Sequence, residues 1–360
     1  MKKILLQTPY ASFANNKIFE TRDGNNALAR WRILKDRLAA MGYDLLTADD
    51  NSLTDCEGII FHDAISLYSP LTTSVKLKNF IKKILGMKLQ EVYPTRDIYT
   101  EAVNAGLRSK LMLFIWEAKV TGPLNFSPEV WDKFDHIMVW DDSFKNHPKV
   151  THYLMPMEVR EILPVAVPFK EKKLLTNMSI NKYSREKGET YSERRRAVDY
   201  FNDHYPNDFD LYGYRWGKPI TIMQQIFKFL VKNYKTYRGP AEDKIGTLKK
   251  YKFNICYENI VDQAGWITEK IFNSFQAKMV SIYWGAPNIT NYVDADTFID
   301  RRKFQNNDEL AKFITSMTEE EYNKYIAAGE RYAKSEKYKM FLPDAFCDKV
   351  IESLNLKALK

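Results

Sequence analysis

Residues 251–304 read YKFNICYENIVDQAGWITEKIFNSFQAKMVSIYWGAPNITNYVDADTFIDRRKF, and the order of residue types along them points to one kind of sheet. Phe253 to Tyr257 are apolar at almost every position, the pattern of a parallel strand buried on both faces, and Glu258-Asn259 close it with two polar groups. Thr268-Glu269-Lys270 open an amphipathic helix carrying Ile271, Phe272 and Phe275, with Thr268 in the N-cap position. Met279 to Trp284 supply the next buried strand, and Gly285-Ala286-Pro287-Asn288 turn the chain at its carboxyl end, the side on which open α/β sheets bind ligands. An anion at the helix start would meet free backbone N–H groups, the positive end of the helix dipole and the Lys270 ammonium together.

The same alternation extends outward from this unit. Ile4–Gln7 reads as a first strand, and Ala27–Met41 carries Leu28, Trp31, Leu34, Leu38 and Met41 at helical spacing before Gly42 ends it. Strands are predicted at Asp44–Thr47, Gly58–His62, Leu111–Trp116 and Ile137–Trp140, which makes the first 165 residues one Rossmann-like sheet. Pro164-Val-Ala-Val-Pro168 is the predicted crossing between domains, since two prolines deny helix and stiffen an extended chain. A second series follows with strand Leu174–Ile180, helix Ser192–Phe201, strand Asp210–Tyr214 and helix Ile222–Lys235, then the unit quoted above. Helices are expected at Asp308–Ser316 and Glu319–Ala333. The predicted organisation is a domain over 1–165, a second over 166–342, and a helical tail over 343–360 that crosses back onto the first.

Fifty-four Lys and Arg against forty-six Asp and Glu leave a net charge of +8, which favours anionic partners: nucleotide sugars, acidic lipid surfaces or nucleic acid. With 45% hydrophobic and 14% aromatic residues the composition is that of a globular chain able to fill two cores. Cys56, Cys256 and Cys347 are odd in number and widely spaced, which argues against a disulfide framework or a zinc site and for buried, reduced thiols. Met1-Lys2-Lys3 followed by Ile4-Leu5-Leu6 is too short an apolar run for a signal peptide, so a cytoplasmic protein is expected. Lys76 to Leu85 has apolar spacing consistent with a basic surface helix, and peripheral contact with anionic lipid is the expectation attached to it.

Taken whole, the 251–304 stretch resembles the signature of glycosyltransferase family 10, the α-1,3/4-fucosyltransferases, in its bacterial type. The resemblance rests on Lys252-Phe253, Tyr257-Glu258-Asn259, Trp266-Ile267-Thr268-Glu269-Lys270, Trp284-Gly285-Ala286-Pro287 and Thr297-Phe298-Ile299-Asp300, five pieces in order. Tyr257 stands where the family usually has Phe and Trp266 where it usually has Tyr. The resemblance implies the GT-B fold, two Rossmann-like domains facing across a cleft, and an inverting enzyme moving L-fucose from GDP-fucose to a glycan hydroxyl. An α-1,3 link to N-acetylglucosamine or glucose is expected, in an oligosaccharide or glycoconjugate acceptor, with nucleic acid excluded as a partner. The alternatives are a related GDP-sugar transferase with another linkage or acceptor, and, from the basic charge, a nucleic-acid- or membrane-binding module.

Site residues follow from the same resemblance. Leu111–Trp116 ends in Glu117, followed by Pro123-Leu124-Asn125-Phe126, and the family carries a Glu at this place, which makes Glu117 the expected general base; Asp63, ending the strand Gly58–His62, is its substitute. The family's diphosphate-facing Arg corresponds best to Arg194 in Ser192-Glu193-Arg194-Arg195-Arg196, with Arg195 one residue out of register. Lys270 is the second cation, and Glu269 is expected on hydroxyls of the ribose or the fucose. Glu258, Asn259, Trp266, Thr268, Asn181 and Lys182 complete the expected donor site, with Tyr237-Arg238-Gly239 and Lys244 as further pocket candidates. Asp294-Ala295-Asp296 falls after the Gly-Pro turn instead of at the end of the donor strand, so no obligatory metal or other cofactor is expected.

Overall fold

The computed structural model describes residues 1–21, 28–68, 93–157 and 166–359. A six-stranded sheet comprises β1 (Lys2–Gln7), β2 (Tyr43–Thr47), β3 (Cys56–His62), β4 (Leu111–Phe114), β5 (His136–Val139) and β6 (Val150–His152) in the order β2-β1-β3-β4-β5-β6. A five-stranded sheet comprises β7 (Lys173–Ile180), β8 (Phe209–Tyr214), β9 (Tyr251–Tyr257), β10 (Val280–Trp284) and β11 (Phe298–Asp300) in the order β11-β10-β9-β7-β8. Every pairing in both sheets is parallel. These are two Rossmann-like domains of the GT-B type.

The residue pattern explains why each sheet is covered twice. Ile4 and Leu6 point into one core with Ile60, Met112 and Phe114, while Leu5 points into another with Ile59, Phe61, Leu111 and Leu113. A strand apolar at consecutive positions buries both faces, and a parallel sheet needs that. In each sheet the strand order reverses beside the first strand, between β1 and β3 and again between β7 and β9. Ligands of open α/β sheets bind outside the carboxyl ends of the strands at this place.

The C-terminal helix Pro343–Ser353 lies on the first domain although the second domain precedes it in sequence. Phe346, Cys347, Val350 and Leu354 enter the core that holds Trp31, Leu34 and Leu38. Phe346 meets the rings of Trp31 and Phe114 edge-on at 5.7 and 5.4 Å, and Arg37 Nη2 donates to Asp348 Oδ1 at 2.7 Å. All three cysteines are free and buried. No helix among the described residues is long and apolar enough to cross a membrane.

Two sequence expectations need correction. Ile222–Lys235 is not one helix: a single α-turn, Ile222–Ile226, is followed by a 3₁₀ turn, Lys228–Leu230, and an irregular return to buried Tyr234. Helices in proteins are held mainly by packing of an apolar face, and the apolar side chains here face solvent. The strands β6 and β11, three residues each, were too short to leave a pattern. Thr268 occupies the N-cap position of the helix Glu269–Gln276, yet its side chain makes no cap bond and turns to Glu258 instead. Lys76 to Leu85, the Pro164 end of the predicted crossing and the Ala27 end of the first helix lie outside the described residues.

Phe346→Ala removes the ring that ties the C-terminal helix to the first domain. It should cost about 3–5 kcal/mol, read as a lower denaturation midpoint of the first domain. An unchanged midpoint would show that the helix docks without stabilising it.

Candidate active site

Glu258, at the end of β9, is 0% exposed. Its carboxylate accepts the Thr268 N–H at 2.9 Å, the Thr268 hydroxyl at 2.8 Å and the Lys270 ammonium at 2.8 Å. A buried carboxylate is tolerable only with such partners. Burial alone would lower the pKa of Lys270, but Glu258 and then Glu269 outweigh it and hold the ammonium well above its ordinary value. The Trp284-Gly285-Ala286-Pro287 turn passes directly over this carboxylate: a Cβ on Gly285 would come within 2.5 Å of Glu258 Cγ and 2.3 Å of the Tyr283 hydroxyl. Glycine is required there for space.

A cavity of about 430 Å³ opens beside this point, at the carboxyl ends of β7 and β9 where the strand order reverses. Lys182, Arg194, Lys244, Asn259, Glu269 and Lys270 are in its wall. Arg194 is 4% exposed, and its Nη2 donates to the carbonyls of Tyr257 and Glu258 at 2.5 and 3.0 Å, so the guanidinium is fixed against the end of β9. The Glu269 carboxyl is half exposed at the cavity mouth; its partial burial would raise it, but Lys270 and then Lys244, whose ammonium is 3.7 Å away, pull it down to about 2. Two residues not foreseen also line the cavity. Asn254 Oδ1 and Asn273 Nδ2 are buried without a hydrogen-bond partner among the described residues, an arrangement that a polar ligand would relieve. The signal in the sequence was Asn254, a polar residue inside the otherwise apolar run Phe253–Tyr257.

Glu117 approaches from the other domain. It is not in the cavity wall, but Lys182, Lys270 and Glu269, which are, stand close enough to act on its charge. Burial raises its pKa, and Lys182, Lys270 and a hydrogen bond from Thr121 only partly offset that. Beneath it, Asp63 Oδ1 accepts the backbone N–H groups of Trp116 and Glu117 at 2.7 and 3.1 Å and Asn125 Nδ2 at 2.8 Å. Asp63 has φ 62° and ψ 158°, a conformation other than glycine rarely adopts and one that costs about 1–3 kcal/mol. Its burial, reinforced by the Glu117 charge, pushes its pKa up to about 7 against the bonds it accepts. Asp63 therefore supports the backbone of Glu117 instead of standing free as a base.

Other expected residues lie elsewhere. Glu258 and Thr268 sit behind the cavity wall and hold Lys270 from there. Trp266 packs on Trp140 of the first domain with ring centroids 4.5 Å apart, outside the cavity lining. Asn181 is buried behind the lining, with Nδ2 directed to the Arg215 carbonyl at 3.5 Å. Arg195 donates to the carbonyl of Lys182 and is not in the cavity lining, and Arg238 is held by Asp210 at 2.7 Å. Asp294 and Asp296 are engaged by Lys337 and Arg331 at 2.9 and 2.5 Å.

Because the folded state raises the pKa of Asp63 from 3.8 to about 7, its contribution to stability is full below the lower value and is lost as pH rises toward the upper. The melting temperature of the wild type relative to Asp63→Asn should fall from about pH 4 to about pH 7 and level off above. A difference that is flat over this range would show that Asp63 does not titrate as its burial requires.

The model of the family described as glycosyltransferase family 10 (fucosyltransferase), C-terminal, matches residues 178–358. The chain is 36% identical over 74 residues to an α-(1,3)-fucosyltransferase, FucT, of Helicobacter pylori, covering 21% of this chain and 15% of that protein. It is 38% identical over 72 residues to the 4-galactosyl-N-acetylglucosaminide 3-α-L-fucosyltransferase 9 of Mus musculus, covering 19% and 20%. The matches thus span a fifth or less of these relatives' length. The fold is similar to that of a crystallised α1,3-fucosyltransferase with GDP, at TM-score 0.55 and 15% identity over 99% of this chain and 90% of that one. It is also similar to a glycosyltransferase from Rickettsia africae, at TM-score 0.52 and 10% identity over 98% of each chain. With its family model matched over 181 of 360 residues, counted from 178 to 358, the chain belongs to glycosyltransferase family 10.

Proposed function

We propose that this chain is an inverting fucosyltransferase that moves L-fucose from GDP-fucose to a hydroxyl of N-acetylglucosamine or glucose in a glycan, making an α-1,3 link. The observation that carries this reading is the convergence of two fixed cations, Arg194 and Lys270, on a second-domain cavity that a first-domain carboxylate, Glu117, approaches. The relatives named above are fucosyltransferases, which supports the choice of sugar.

In this account Glu117 accepts the proton of the acceptor hydroxyl as its oxygen attacks the anomeric carbon of fucose. The bond from that carbon to the diphosphate breaks on the opposite face, and the configuration inverts. Lys270, Arg194 and the N-terminus of the helix Glu269–Gln276 receive the charge that develops on the leaving diphosphate, so no metal is obligatory. Glu269, ionised by its lysine neighbours, accepts from hydroxyls of the ribose or the fucose. Asn254 and Asn273 offer the nucleoside an acceptor and a donor. The acceptor enters from the first domain, where half-buried Tyr10 has its pKa raised by its partial burial and then by the nearby charges of Glu117 and Asp63. The buried free cysteines fit a reducing compartment, and we assign the enzyme to the cytoplasm.

GDP at about 100 times its dissociation constant should add about 2.7 kcal/mol of apparent stability, seen as a rise in melting temperature. An equal rise with UDP would overturn the donor.

Glu117→Gln keeps shape but cannot take the proton. It should retain the GDP-induced melting shift while kcat falls by about 10²–10⁴-fold on an acceptor whose product linkage has been established by NMR. Near wild-type turnover would move the base elsewhere.

A further inference from the structure

From Leu211 to Ala241 the chain carries Arg215, Lys218, Lys228, Lys232, Lys235 and Arg238 and no carboxylate. The ends of this excursion are built into the second domain. Trp216 and Tyr234 are buried and meet edge-on at 5.2 Å, Trp216 Nε1 donates to the Ser179 carbonyl at 2.9 Å, and the Tyr237 hydroxyl donates to the Gly213 carbonyl at 2.7 Å. The tip between them is the reverse of a core. Ile222 is 74% exposed, Ile226 63% and Phe229 83%, with Met223, Phe227 and Leu230 exposed beside them. Isolated apolar side chains on a surface need no explanation, but six large ones within nine residues on an anchored stem do.

We propose that this tip docks on an anionic lipid surface. Aliphatic and aromatic side chains of this kind enter the boundary between headgroups and acyl chains, and the exposed Lys218, Lys228 and Lys235 are placed to meet lipid phosphates. The charge pattern selects against the other occupants. A second copy of the chain joined through the same face would bring the same cations opposite one another. Nucleic acid would satisfy the lysines but leave Ile222, Ile226 and Leu230 without a partner. The excursion leaves from β8 and returns at Pro240-Ala241, and Tyr214, Pro240 and Ala241 are in the cavity wall, so docking sets the cavity beside the membrane.

Co-sedimentation of the full chain with phosphatidylcholine vesicles, with and without phosphatidylglycerol, tests this. Wild type should bind the phosphatidylglycerol vesicles about tenfold or more tightly, and salt should weaken the binding. Ile226→Ser with Phe229→Ser should lower binding about tenfold, and Lys218→Glu with Lys228→Glu should abolish the preference for anionic vesicles. Both double variants should melt as wild type does, which separates lost docking from lost fold. The GDP melting shift reports the donor reading separately, so either result can fail alone. Equal binding to both vesicle types, no binding, or variants that bind like wild type would overturn the proposal. So would a dimer in light scattering that the Ser variants dissociate, because a second copy would then cover the tip.

Discussion

The site depends on one buried carboxylate. Glu258 is fully buried, and removing its partners would leave an uncompensated charge in the protein, a loss typically of about 3–5 kcal/mol. Two helices, each with the residue before it, are arranged around Glu258. The helix Glu269–Gln276 supplies Lys270 from its first turn, and the residue before it, Thr268, gives its side chain to the carboxylate instead of capping the helix. The helix Tyr191–His204 supplies Arg194, which donates to the backbone carbonyl of the same residue, and Thr190 before it donates its hydroxyl there as well. Arg194 and Lys270, two of the cations in the cavity wall, are therefore fixed by a residue that does not line it. Neither has to be ordered when an anion arrives, and such preorganisation makes electrostatic stabilisation effective.

A carboxylate on one domain and cations on the other are useful only while the domains hold their spacing. The loop after β9 provides the contact. Lys119 N–H donates to Gln263 Oε1 at 2.9 Å, Gln263 Nε2 donates to Asp141 at 3.1 Å, and the Asp142 N–H donates to the Ala264 carbonyl at 3.0 Å. Asp142 also accepts from Tyr292 and Asn288 of the second domain and from Lys145 of its own. A Cβ on Gly265 would stand 2.4 Å from the Trp140 carbonyl, and φ +85° disfavours a side chain there in any case. Lys119 is two residues from Glu117, so the contact that joins the domains also sets the height of Glu117 over the cavity.

The legible parts of this molecule are those where one side chain faces one environment. Apolar runs marked nine of the eleven strands to within two residues, all but β6 and β11. The helix that starts at Tyr191 was legible because Arg194, Ala197, Val198 and Phe201 share one face, and that face is buried, while Arg195, a third of a turn away, meets the carbonyl of Lys182. Illegible parts depend on distant contacts. The place of Asp63 under Glu117 joins residues 53 and 54 positions apart, and Trp266 found its partner in Trp140 across the domain boundary. Ile222–Lys235 misled because helical spacing of apolar residues normally signals a buried face, and here that face is turned outward.

The two carboxylates of the first domain bear on how the proposed base would work. Glu117 is raised by burial and lowered by Lys182 and Lys270, so its basicity is a balance between the two domains. Under the proposed reaction, a diphosphate in the cavity would neutralise those lysines from their other side. The lowering influence on Glu117 would shrink and the burial would remain, which makes the carboxylate a stronger base when the donor is bound than when the cavity is empty. Asp63 works in the same direction wherever it is ionised, because a second negative charge under Glu117 further disfavours the first. Proton removal from the acceptor is thereby linked through charge to the presence of a sugar to transfer, and the link needs no movement of the base.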